Sequence, residues 1–233
     1  NRLKIINISM KKISFLMCLC FIIFKTQAQN NAEDQLGTWY MYNGSHQLSE
    51  KYKLTTSAHV RYFELASEYQ QEIYRVGLNY AFTNKINATA GIVYSITDTS
   101  YKTDAPNLYE FRFYQDVFLK DNWGKFDVKH RVRLAQRFRE QNSIKKTTHR
   151  IRYGLFVNYP ILKNLTAYGF NEIFIQFASK SFGQNRTGFG FIQKIDKQLK
   201  LKLGYMHTLF SSTKSHRLQL GIILNTNHIK KTK

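Results

Sequence analysis

The sequence predicts an all-β protein: an antiparallel up-and-down transmembrane β-barrel of ten to twelve strands, twelve favoured, preceded by a cleaved signal peptide. Three observations predict it. Almost everything after residue 35 falls into segments of roughly 10 to 15 residues whose polarity repeats every two positions. The joints between segments alternate between short and long. A basic and then apolar leader precedes the first segment.

The leader begins with "NRLKIINIS", residues 1–9, which reads as mis-annotated upstream sequence, with Met10 as the start. Lys11 and Lys12 form a basic stretch, and Ile13 to Phe24 an apolar stretch too short to cross a bilayer as a helix. "TQA" before Gln29 supplies small residues for cleavage, so 10–28 is expected to be a signal peptide and 29–233 a single barrel domain, ending in a short basic tail, 227–233. Both cysteines, Cys18 and Cys20, would leave with the leader, which removes disulfides, thiolate metal sites and a cysteine nucleophile from the mature chain. Five of the 35 Lys and Arg residues would leave too, so the charge falls from +20 to +15, with 15 acids retained. An export signal makes nucleic acid an unsuitable partner for that charge.

The alternating segments run approximately 36–48, 51–65, 69–82, 85–97, 107–120, 124–139, 146–160, 163–177, 183–195, 198–210 and 214–226. Short turns are expected at 49–50, 83–84, 121–123, 161–163 and 196–197. Longer links are expected at 66–68, 98–106, 140–145, 178–182 and 211–213. Long and short links taking turns is the pattern of an outer-membrane barrel. The segment count is odd, whereas single-chain bacterial barrels normally have an even number, hence the preference for twelve.

"KFDVKHRVRLAQRF", 125–138, shows why the strands belong in a membrane. Asp127, Lys129, Arg131, Arg133 and Arg137 share one face; Phe126, Val128, Val132, Leu134 and Phe138 share the other. A cation facing lipid near the bilayer midplane costs about 2–4 kcal/mol, so this face must point into the lumen. The same parity collects Arg61, Arg75, Arg112, Arg150, Arg152, Arg186, Lys200, Lys202 and Arg217. Against these thirteen cations stand Glu110, Asp116, Asp127 and, if the face of 163–177 permits, Glu172. Such cations either fill the lumen in Arg–carboxylate networks or line an aqueous path that selects anions. A secreted β-sandwich or lipocalin-like binder would show the same alternation, but with shorter strands and fewer outward aromatics.

"LGTWYMYNGSHQLSEKYKLTTSAHVRYFE" (36–64), "YRVGLNYAFTNKINATAGIVY", "HRIRYGLFVNYPI", "NEIFI" and "HRLQLGIILN" resemble the uncharacterised Bacteroidota family known as domain of unknown function 2490 (DUF2490). The resemblance extends over 36–226. It implies an outer-membrane barrel and brings no activity.

No cofactor and no metal site is expected, since the seven histidines lack ligand spacing. His149 beside Thr147 and Thr148, or His216 beside Ser215, would be the starting points for a lipid- or lipopolysaccharide-modifying enzyme. Membrane lipid and lipopolysaccharide are the expected partners, with Lys145, Lys146, Lys180 and Lys214 placed to meet phosphates. Small anionic solutes are partners only if the lumen conducts. The expectation is therefore a non-enzymatic outer-membrane barrel that is structural or passes small anions, with no assigned oligomeric state.

Overall fold

The computed structural model describes residue 32 and residues 35–177 and 181–229. The readings of 1–9 and 10–28 lie outside these residues. Eleven strands close into one barrel: β1 (Leu36–Gln47), β2 (Tyr52–Tyr62), β3 (Tyr69–Ala81), β4 (Ile86–Thr97), β5 (Leu108–Trp123), β6 (Phe126–Gln141), β7 (Ile144–Leu162), β8 (Leu165–Gln176), β9 (Phe182–Lys194), β10 (Leu199–Leu209) and β11 (Lys214–Asn227). Each strand pairs antiparallel with its neighbours in sequence.

The favoured count of twelve is corrected to eleven among the described residues. Parity explains how the barrel still closes. In a meander with an odd number of strands, the first and last run the same way, so their seam must be parallel. β1 and β11 pair in parallel without a register break, from Leu36 opposite His216 to Gln47 opposite Asn227. Segment 36–48 is thus one strand, and the ladder leaves no open edge.

The links differ from expectation at one end. Residues 140–145 form no long loop: β6 and β7 run on to a two-residue turn, Asn142–Ser143, with φ of 50° and 61°. Two consecutive positive φ values match the twist of the flanking strands, and Asn accepts that region readily. The polar residues that read as a loop are strand residues beyond the apolar band. The links at the β1-start end otherwise include the longest, 98–107 and 63–68, while the other end has links of two to four residues.

Side chains alternate across the wall. Outward positions keep large apolar residues exposed, among them Phe113 at 43%, Val117 at 53%, Leu203 at 55% and Phe189 at 62%. Aromatic rings cluster toward both rims of this outer face. Tyr40, Tyr62 and Tyr69 pack edge-on at one rim, with centroids 5.9 and 6.3 Å apart. At the other, Tyr52 packs tilted on Tyr80 at 5.1 Å and Tyr80 packs edge-on with Phe82 at 4.9 Å. Inward positions hold the buried polar residues and a small apolar core of Ile73, Val93, Tyr114 and Ala135. The molecule is therefore apolar outside and charged inside, the reverse of a protein folded in water.

Aromatic filling of the interior depends on glycine. Tyr114 lies across Gly77 and Gly91 on neighbouring strands, where an added Cβ would meet its ring or hydroxyl. Tyr168 crosses Gly190 and Gly204 in the same way. Each large inward ring thus occupies space that a missing side chain leaves on the adjacent strand.

The parallel seam is tested by cross-linking. Tyr42 and Ile222 are paired outward residues, so Tyr42→Cys with Ile222→Cys is expected to oxidise to an intramolecular disulfide, seen as a mobility shift on a non-reducing gel. An unpaired seam would leave both thiols free.

Candidate functional site

The cross-strand register places all fifteen predicted lumen residues on the inner face. Arg61 pairs with Gln71, and Arg75 with Ser57 and Val93. Arg112 stands opposite Arg137, and Asp116 opposite Arg133. Arg133 stands opposite Arg152, and Lys129 opposite Phe156. Arg150 pairs with Gln176, Glu172 with Arg186, Arg217 with Met206, and Lys202 with Ile192; Lys200 shares that parity. Glu110 continues the face of Arg112. The uncertain face of β8 is settled: Glu172 points in, while Asn171 is exposed and bonds Asn185 and Thr187 outside.

Two like-charged Arg–Arg pairs in direct cross-strand register are unfavourable by themselves. Carboxylates between them reverse the sign. Glu110, 4% exposed, accepts from Arg137 Nε at 2.9 Å and Nη2 at 2.5 Å, and also from Arg112 Nε at 2.7 Å. Asp116, 2% exposed, accepts two parallel bonds from Arg133 at 2.6 Å. Glu172 accepts from Arg131 and lies 3.8 Å from Arg152. Two-pronged guanidinium–carboxylate contacts are the strong form of this interaction. Asp127 plays no part in them: it is exposed at the rim and accepts from Asn122 at 2.7 Å, so the interior acids are three rather than four among the described residues.

Three acids cannot serve thirteen cations. Most of the remainder stack on aromatic rings, and Arg217 donates to the carbonyls of Gln35 and His216. Arg61 lies 3.6 Å from the centroid of Trp39, and Arg186 lies 4.9 Å from Trp39 and 4.8 Å from Phe174. Arg152 approaches Phe174 at 3.9 Å and Lys202 approaches Tyr168 at 4.3 Å. Lys129 sits between Phe118 and Phe156 at 5.7 and 5.0 Å. A desolvated contact of this kind is worth about 2 kcal/mol. Several guanidinium N–H groups still lack any partner among the described residues, including Nε of Arg61, Arg75 and Arg186.

Sequence reasoning left the inward rings of Trp39, Phe118, Phe156, Tyr168, Phe170 and Phe174 unassigned. It also missed Lys53, Lys120 and Arg139. The available signal was parity: Phe156 shares its face with Arg150 and Arg152, and Trp39 stands opposite Arg61.

Two cavities occupy the lumen. One, about 340 Å³, lies toward the long-link end against Trp39, Arg61, Gln71, Arg186 and Arg217. The other, about 150 Å³, lies toward the opposite end against Asn43, Ser57, Arg75, Asp116 and Arg133. On β1, β2 and β3 a single inward side chain divides them: Met41, His59 and Ile73, each no more than 9% exposed. Met206 packs against Met41 in this partition.

A strap crosses the larger cavity. Ser67 Oγ and Tyr101 Oη each donate to Glu64 at 2.7 Å, Lys102 Nζ lies 3.1 Å away, and Phe63 meets the Tyr101 ring edge at 5.5 Å. The Ser67 bond, then those of Tyr101 and Lys102, hold the Glu64 carboxyl down at about 2.

Neither enzymatic starting point assembles. Ser215 and His216 are consecutive strand residues, so one faces in and the other out, where Tyr205 bonds the histidine. Thr148 and His149 are split in the same way, and Thr147, which shares the exposed face of His149, makes no hydrogen bond to it among the described residues. Lys180 lies outside the described residues, and Lys145 meets Glu140 at 3.9 Å on the exposed β6–β7 hairpin. No cluster of three or more metal-ligating residues occurs among the described residues.

With this geometry in place, the comparisons are specific about family and fold. The family model described as a protein of unknown function, DUF2490, matches residues 36–219. The chain belongs to this family. DUF2490 covers ten of the strands completely and the first part of β11. A comparison with curated proteins gives no match. A solved structure described as the NanC porin in a rhombohedral crystal form aligns with a TM-score of 0.54 at 9% identity, covering 81% of this chain and 98% of that one. At that identity the likeness is one of fold.

Removing the carboxylate from the Asp116–Arg133 pair leaves a buried guanidinium uncompensated, so Asp116→Asn is expected to cost about 3–5 kcal/mol in urea unfolding of the micelle-bound protein. Adding Arg133→Met should recover most of the loss. The strap has its own test. Because the Glu64 carboxyl is lowered from 4.5 to about 2 in the fold, its contacts stabilise the strap fully above pH 4.5 and weaken as pH falls toward 2. Amide exchange in 98–107 is expected to accelerate across that window, and in Glu64→Gln to be fast already at pH 7.

Proposed function

We propose that this DUF2490 protein is an outer-membrane barrel that passes small anions slowly. The apolar outer face with an aromatic belt at each rim supports membrane insertion, and strands of 11 to 19 residues are long enough to cross a bilayer at a tilt. The export leader expected from the sequence and the barrel fold shared with a porin agree with an outer-membrane location. Short turns conventionally face the periplasm, which directs the 340 Å³ cavity outward.

One observation carries the choice of anions. Cations outnumber the interior carboxylates, and those left over lie in both cavities: Arg61 and Arg186 in one, Arg75 in the other. A path through these cavities meets donors in each and costs a cation dearly. The partition of Met41, His59, Ile73 and Met206 sets the rate. Three of these side chains are apolar and His59 is held by Asn43 at 3.1 Å, so an anion crosses only when the flexible methionines swing aside. A second reading, a purely structural barrel, is favoured by that same filled partition.

Planar-bilayer recording of the purified protein separates the two. Small currents with an anion-selective reversal potential are expected, with Met41→Ala plus Met206→Ala raising conductance and Lys129→Glu plus Lys202→Glu reducing anion preference. No current in either the parent or the alanine variant would leave the structural reading; cation preference in the parent would contradict anion passage.

A further inference from the structure

The larger cavity has a built end. Trp39 Nε1, Arg61 Nε and Arg186 Nε are all shielded from solvent and all lack a hydrogen-bond partner among the described residues. They belong to one assembly, since both guanidinium groups sit over the Trp39 ring, at 3.6 and 4.9 Å. Indole and guanidinium nitrogens can only donate. Buried donors left unmatched are costly, and two acceptors beside them are already engaged. Gln71 Oε1 is taken by Arg61 Nη1 at 2.7 Å. Glu172, the register neighbour of Arg186, is engaged by Arg131 and Arg152.

The rest of the cavity is of different character. Phe63, Tyr101 and Phe210 line it at the mouth, and its volume of about 340 Å³ is far more than a halide needs. A ligand that satisfies both parts carries negative charge at one end and a flat apolar body at the other.

We propose that this cavity binds a small organic carboxylate, with the carboxylate against Trp39, Arg61 and Arg186 and its apolar body under the Phe63–Tyr101 strap. The proposal deepens the anion reading above and rests on it for the ligand's charge. Binding itself requires no transit, so the two fail separately. The apolar contacts set the preference among anions: an inorganic ion can satisfy the donors but gains nothing from the aromatic mouth.

Trp39 reports on its own site. The chain has two tryptophans, Trp39 and Trp123, so Trp123→Phe leaves Trp39 as the single fluorophore. In detergent-folded full-length protein, iodide is expected to quench Trp39 about fivefold more strongly than caesium, because the guanidinium field concentrates anions there. Benzoate should protect against iodide at about tenfold lower concentration than acetate, and Arg186→Gln should raise the protecting benzoate concentration about tenfold. Folding of each variant is checked by its heat-dependent gel mobility, and Arg186→Lys, which keeps the charge but loses the planar fork, serves if Arg186→Gln does not fold. Equal quenching by iodide and caesium, equal protection by acetate and benzoate, or unchanged protection in the Arg186 variants would overturn the site. Anion-selective current without benzoate protection would reject this site and keep the pathway; protection without current would keep the site and reject the pathway.

Discussion

A guanidinium group can face neither hydrocarbon nor an empty interior, and the structure follows from that constraint. The strand β6 carries Arg131, Arg133 and Arg137 on one face and Val132, Leu134 and Phe138 on the other. Only an enclosed wall keeps the first set from lipid while giving the second set to it. Closure satisfies the backbone at the same time, because no strand edge remains without a ladder. The odd strand number is accommodated by the parallel β1–β11 seam, so satisfying the backbone takes precedence over uniform strand direction.

Inside, two devices make the cations tolerable. Glu110 takes contacts from Arg112 and Arg137, which stand opposite one another, Asp116 takes a two-pronged contact from Arg133, and Glu172 meets Arg131 and Arg152. Trp39, Phe174 and Tyr168 present ring faces to Arg61, Arg186, Arg152 and Lys202. Tyr168 performs a second task, filling the cross-section over Gly190 and Gly204. Stability and occlusion therefore come from the same residues. What both devices leave unmatched is a surplus of donors, and that surplus lies along the cavity walls where a solute would pass.

Much of this was legible in the sequence, and the reason is local. Alternation fixes strand parity, so each of the eleven segments was placed to within a few residues of a strand. What alternation lacks is depth and partner. Asp127 shares parity with Asp116, yet one sits exposed at the rim and the other is buried against Arg133. Arg131 and Glu172 are 41 residues apart and meet only because three strands lie side by side. The Asn142–Ser143 turn was hidden because polar strand ends beyond the apolar band look like a loop. Inward aromatics went unassigned for a similar reason: a ring is equally at home against lipid or over a guanidinium, and composition does not distinguish the two.

The most direct test concerns which solvent the outer face meets. Membranes from cells expressing the full chain are washed with alkaline carbonate, extracted with detergent, and analysed on gels with and without boiling. The protein is expected to remain with the outer membrane through the wash, to need detergent for extraction, and to migrate faster unboiled than boiled. Recovery as a folded monomer in the aqueous fraction without detergent would contradict the account.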